Sequence, residues 1–159
     1  MEKIKTNAMR ALDKAGIKYD THTYDVVDGQ IDGVSVAGKL GQPVEKVYKT
    51  LVTQGHSRNY IVFVIPVACE LDLKAAARSV DEKSVEMIKV ADINKVTGYI
   101  RGGCSPIGMK KDYVTVLDSS CEKLDTMIFS AGKIGHQIEM SPADLIRLIK
   151  CKVESISMQ

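Results

Sequence analysis

Residues 47–53 and 60–67 are two runs of β-branched, aromatic and aliphatic side chains on either side of the polar hexapeptide Gln54-Gly55-His56-Ser57-Arg58-Asn59. This is the pattern of a β-hairpin. In the first run, period-two alternation puts Val47, Lys49 and Leu51 on one face and Tyr48, Thr50 and Val52 on the other. Both faces are otherwise mostly apolar, so the strand lies inside a sheet. An ammonium at Lys49 then loses hydration, a cost that calls for an anionic or strongly polar partner. Lys49 can also reach the sheet edge or pair with a structural carboxylate, and alternation alone does not choose among these readings.

The flanking sequence supplies helices to cover that sheet. Thr6 caps a first helix with Ala8, Leu12 and Ala15 on one face, and Gly16 stops it. Residues 17–24 read as extended and residues 25–33 as an Asp- and Gly-rich loop. A short helix over 34–40 ends at Gly41. Asp72 caps a helix whose Leu73, Ala76, Ala77 and Val80 follow the 0, 3, 4, 7 spacing of a helix lying on a sheet. Asp92 opens a shorter turn that Gly98 closes. Residues 113–117, 126–131 and 137–140 read as further strands, and Ser141-Pro142-Ala143-Asp144 is a strong helix start before Leu145, Leu148 and Ile149. The fold class is therefore α/β, a mixed, mostly antiparallel sheet covered by several helices. At 159 residues, with 45% hydrophobic side chains, a single domain over 1–159 is expected.

Composition removes several function classes. A net charge of +2 leaves no polybasic arm, so a polyanion can be held only locally and weakly. With 5% aromatics and no Trp, a stacked platform for single-stranded nucleic acid is not available. Glu2, Lys3, Lys5 and Arg10 occupy what would be the apolar centre of a signal peptide, and the longest uncharged apolar run, 60–69, is about half of the roughly 20 residues that span a bilayer. A cytoplasmic protein with no membrane association is expected. The four cysteines form no CxxC pair, which argues against zinc and thiol redox chemistry; no metal and no cofactor are expected.

Two small-residue loops could carry chemistry. Gly102 and Gly103 let a backbone approach an oxyanion closely, with Ser105 and Pro106 following, although a plain turn explains the same residues. Ser130-Ala131-Gly132-Lys133 is either a hairpin turn or the backbone wall of a pocket. No GxSxG elbow is present, and His22, His56 and His136 form no triad pattern. Cys104 reads as a small buried side chain and not a nucleophile.

Five segments in register, His22-Thr23-Tyr24-Asp25, residues 47–51, residues 60–66, residues 97–108 and Ser130-Ala131-Gly132-Lys133, together resemble the YbaK/EbsC-like aminoacyl-tRNA deacylases over nearly the whole chain. The resemblance is to the branch acting on cysteinyl-tRNA(Pro), freestanding relatives of the editing domain inserted in many prolyl-tRNA synthetases. It implies a prolyl-tRNA synthetase editing-domain-like fold and hydrolytic clearing of Cys-tRNA(Pro), with Cys-tRNA(Cys) as a further substrate. Alanine on tRNA(Pro) is an alternative, and so is a non-catalytic module that grips charged tRNA or the synthetase. The resemblance implies Lys49 as the catalytic residue, and Tyr24, Thr50, Gly102, Gly103, Ser105, Pro106, Ser130 and Gly132 as substrate-binding. It also implies attack by the substrate's own thiol, with the N–H groups of Gly102 and Gly103 steadying the carbonyl; a thiolactone-forming cleavage of this kind can be classed as a lyase reaction. Charged tRNA is the implied partner, with prolyl-tRNA synthetase as a second. One departure is Ile31-Asp32, where relatives can carry an aromatic before Gly33.

Overall fold

The computed structural model describes residues 4–26, 28–29 and 32–159. Ile31, part of the departure noted above, lies outside the described residues. Helix α1 spans Asn7–Ala15, and strand β1 spans Asp20–Thr23. Helix α2 (Gly33–Leu40) leads into β2 (Tyr48–Gly55), β3 (Tyr60–Pro66) and the short β4 (Glu70–Leu71). Then come α3 (Leu73–Ser79), β5 (Val85–Met87), α4 (Ile93–Thr97) and β6 (Val114–Asp118). Strands β7 (Met127–Lys133) and β8 (His136–Met140), helix α5 (Pro142–Ile149), and strands β9 (Lys152–Glu154) and β10 (Ser157–Met158) complete the order.

The caps fall where side-chain chemistry places them. Thr6, Asp72 and Ser141 each accept a hydrogen bond from a backbone N–H in the first turn of their helix, and Gly16, Gly41 and Gly98 close theirs in the left-handed region. Strands β2 and β3 pair antiparallel from Tyr48–Pro66 to Gln54–Tyr60 and form the centre of a five-stranded sheet of order β5-β2-β3-β6-β9. A three-stranded antiparallel sheet, β1-β8-β7, and the β10-β4 pair complete the strands. Five ladders are antiparallel, while β3–β6 and β6–β9 are parallel.

Each face of the central hairpin has its own core. On one, Ile61, Phe63 and Ile65 pack with Ala76 and Ala77 of α3. On the other, Val62 and Val64 meet Ala8, Met9 and Leu12 of α1, Phe129 and Ile138 of the second sheet, and Leu145 of α5. A third cluster, Ala37, Val47, Val67 and Ile128, lies beneath α2.

Some expectations from the sequence are corrected. Ala15 is exposed, and Met9 joins Ala8 and Leu12 in the core instead. Leu73, at the start of α3, is 45% exposed. Residues 17–24 contain a strand only from Asp20 to Thr23. Strands β4, β5, β9 and β10, each of two or three residues, were not expected from the sequence; elements that short carry too few side chains to show a period.

Candidate active site

Strand β2 has a full partner on one edge only. On the other it pairs with β5 from Thr53 to Gly55, and at its start a single parallel bridge joins Val47 to Ile128 of β7. Between these two attachments the sheets part, and a cavity of about 110 Å³ opens over Lys49 and Thr50. Its floor is apolar, from Val36, Val47 and Val67. Gly33 lets α2 approach that floor: a Cβ there would lie 2.2 Å from Val67 Cγ1.

The polar wall comes from five separate segments. Tyr24 follows β1, Lys49 and Thr50 lie on β2, Gly102 and Cys104 come from the loop after α4, Ser130 lies on β7 and Gln137 on β8. Ser130 and Gln137 sit opposite one another in the β7–β8 register, and His22 sits opposite Gln137 across β1–β8. The Tyr24 hydroxyl and Thr50 Oγ1 are buried with no hydrogen-bond partner. Buried polar atoms are nearly always satisfied, so two orphans on one wall mark a place where a ligand completes the bonding. The described ion pairs engage Lys5, Lys39, Lys46, Lys95 and Arg147, and none engages Lys49.

Of the residues expected at a site, Tyr24, Lys49, Thr50, Gly102 and Ser130 meet at this cavity. Gly103, Ser105, Pro106 and Gly132 do not line it, and each has another task or position. The Gly103 N–H donates to the Ile100 carbonyl at 2.9 Å, so it is not free to steady a substrate carbonyl, and the missing side chain lets the loop pack on the Lys133–Ile134 backbone. The Ser105 hydroxyl, fully buried, accepts from the Ile107 N–H. Pro106 is buried beside it. Gly132, at φ 101°, leaves room for the Tyr99 ring, which a Cβ would meet at 2.6 Å. Tyr99 is fixed there by donating to the Ile107 carbonyl at 2.6 Å.

Gln137, Tyr48 and Gly33 also line the cavity, although sequence reasoning did not single them out. A signal existed for Gln137, a polar residue in a strand whose Ile138 and Met140 face the core. Burial pushes the Cys104 thiol up to about 11 and the Tyr48 hydroxyl up to about 12, so both are uncharged near neutral pH. Ser130 Oγ accepts from the Gly132 N–H at 3.1 Å, and among the described residues no histidine lines the wall. The cavity can therefore hold, orient and polarise a small ligand, but its wall lacks an activated protein nucleophile. Among the described residues no three His, Cys, Asp or Glu side chains cluster as a metal-binding set, and no helix is long and apolar enough to cross a membrane.

With the fold and cavity established, comparison with known proteins assigns the class. The chain belongs to the aminoacyl-tRNA editing domain family, whose pattern matches residues 32–148. It is an aminoacyl-tRNA deacylase, and charged tRNA is its substrate. A relative from Enterococcus faecalis, EbsC, is 42% identical over 144 residues, covering 91% of this chain and 88% of the relative; it carries the provisional name Cys-tRNA(Pro)/Cys-tRNA(Cys) deacylase. Among solved structures, a hypothetical protein, APE2540, superposes with a TM-score of 0.88 at 18% identity, covering 96% of this chain and all of the other. A candidate trans-editing enzyme for prolyl tRNA synthetase superposes with a TM-score of 0.83 at 20% identity, covering 99% of this chain and all of the other. At these identities the two structures establish the fold.

Proposed function

We propose that this deacylase works in trans to clear cysteine from Cys-tRNA(Pro), and also acts on Cys-tRNA(Cys), as the name of its Enterococcus faecalis relative describes. The observation that carries the reading is the pair of unpartnered buried hydroxyls of Tyr24 and Thr50 beside Lys49 in a cavity of about 110 Å³. Drug-sized ligands need cavities of roughly 300 Å³ or more, so this one suits an aminoacyl group whose nucleotide stays outside. Cysteine and proline are similar in size, and a synthetase pocket rejects a near-isostere by only a modest factor, which creates the need for a second sieve.

The wall offers no ready nucleophile, which favours attack by the substrate. In this mechanism the substrate sulfur, as thiolate, forms an S–C bond to the ester carbonyl carbon. The C–O bond to the ribose breaks, the ribose oxygen takes a proton, and the four-membered thiolactone left behind is opened by water. Lys49 is the catalytic residue, its ammonium holding the ester or ribose-phosphate end and offsetting developing charge. Gly102 presents backbone to the carbonyl, and Tyr24, Thr50 and Ser130 hold the remaining polar groups. A net charge of +2 gives little autonomous grip on tRNA, which favours prolyl-tRNA synthetase as a partner. The whole chain, 1–159, is read as one cytoplasmic domain.

A panel of tRNA(Pro) charged with cysteine, alanine or serine, with and without prolyl-tRNA synthetase, tests this directly. Cysteine is released and the other two resist. Equal release of all three means an activated water, release of alanine alone reassigns the amino acid, and binding without release makes the chain a delivery module.

A further inference from the structure

The reading above, on which this inference rests, gives the substrate's α-amino group uncharged hydroxyls as partners and no counter-charge. Among the described residues twelve line the cavity; Lys49 is the one Lys or Arg of these, and none of them is Asp or Glu. Carboxylates stand close by but are turned to other work. Glu139, two residues along β8 from Gln137 and on the same face of the strand, is taken by Lys46 at 2.7 Å, His22 at 2.8 Å and Thr126. In the segment from Tyr24 to α2, Asp28 pairs with Lys39 at 2.6 Å and Asp32 accepts from the Ser35 backbone and hydroxyl. Neither these two nor Asp25 lines the cavity.

An ammonium entering this space would lose its water beside Lys49 and gain no counter-charge. A neutral amine escapes both penalties. It still donates two N–H groups, and the wall supplies uncharged acceptors in the Tyr24 and Thr50 oxygens and the carboxamide of Gln137, which is 5% exposed. We propose that the site takes the aminoacyl ester with its α-amine uncharged, and that Gln137, a neutral acceptor where a carboxylate would admit the ammonium, enforces that choice.

Among the described residues the titratable groups lining the space the amine would enter are Lys49 and Tyr48 from β2, Tyr24 from the segment after β1, and Cys104 from the loop after α4; His22 stands opposite Gln137 across the β1–β8 ladder. Tyr48 and Cys104 are held uncharged by burial, so neither supplies an anion to the amine near neutral pH.

The test compares two tRNA esters that differ only at the α position: cysteinyl, and its analogue with an α-hydroxyl in place of the amine. Both carry the thiol, and although the neighbouring amine shifts its pKa, below the pKa values of both esters its titration contributes the same slope to each and so drops out of the change in their ratio with pH. With the uncatalysed rate subtracted, kcat/KM for the amine ester relative to the hydroxy ester is expected to fall about tenfold per pH unit below the amine's pKa. A ratio that does not change with pH overturns the inference. Gln137→Glu supplies the missing carboxylate and is expected to flatten the ratio; a ratio that stays steep in the folded variant overturns the role given to Gln137. Should that variant fail to fold, the two-ester comparison on the unmodified chain decides. Release of neither ester at any pH overturns the deacylase reading itself, a failure distinct from a constant ratio.

Discussion

Two polar clusters, one on β8 of the three-stranded sheet and one on β2 of the five-stranded sheet, are built in opposite ways. Around Glu139 every oxygen is spoken for: Lys46, His22 and Thr126 converge on one carboxylate. Burial alone would raise its pKa, but the hydrogen bonds from Lys46, Thr126 and His22 outweigh that and hold it at about 2. Around Lys49 the reverse holds, with two buried hydroxyls lacking partners and a cation outside the described ion pairs. A saturated cluster returns its desolvation cost within the fold, whereas an unsaturated one recovers it only when a ligand arrives. Substitutions in the first should therefore register in stability, and those in the second in activity.

The largest expected effect is on activity. Lys49→Ala should lower cysteinyl-tRNA deacylation at least about 10²-fold, the cost of removing one preorganised electrostatic group, with an unchanged melting temperature. Undiminished turnover would remove Lys49 from the reaction. The converse substitution, Glu139→Gln, should cost roughly 2–3 kcal/mol of folding stability by chemical denaturation, since Lys46 and His22 lose their shared anion.

The same carboxylate sets a pH dependence. Because its folded pKa of about 2 lies below the ordinary 4.5, its contribution is present above pH 4.5 and is lost as pH falls toward 2. In Glu139→Gln that acid limb of the stability curve should shrink. An unaltered limb would mean that the cluster contributes no linkage. The finest comparison sets two threonines side by side. Thr126→Val, which removes a donor to Glu139, should cost about 1 kcal/mol. Thr50→Val, which removes an orphan, should leave stability level or slightly raised while lowering deacylation by roughly tenfold. Equal stability costs for the two would erase the distinction between the clusters.

The sequence made the scaffold legible because local rules govern it. The caps at Thr6, Asp72 and Ser141, the αL stops at Gly16, Gly41 and Gly98, and the hairpin of β2 and β3 all rest on contacts within a few residues or on a period of two. The five segments that resemble aminoacyl-tRNA deacylases carried the family in the same way. The small-residue segments divide: Gly102 of the loop after α4 reaches the cavity, but in the same loop the Gly103 N–H is bound to Ile100 and Ser105 to Ile107, while Gly132 of β7 makes room for Tyr99. Glycine-rich text announces close backbone approach without saying what approaches.

By itself, then, the chain determined its longer elements, their caps and an apolar hairpin with one awkward cation in it, since steric and hydrogen-bonding preferences act over short stretches of sequence. Only the tertiary structure decided that Tyr24, Lys49, Thr50, Gly102, Ser130 and Gln137 line one cavity while Glu139, two residues from Gln137, pairs with Lys46 and does not line it. Whether a polar atom finds a partner depends on segments more than a hundred residues apart, such as His22 and Glu139, and long-range packing settles that pairing where no local pattern can.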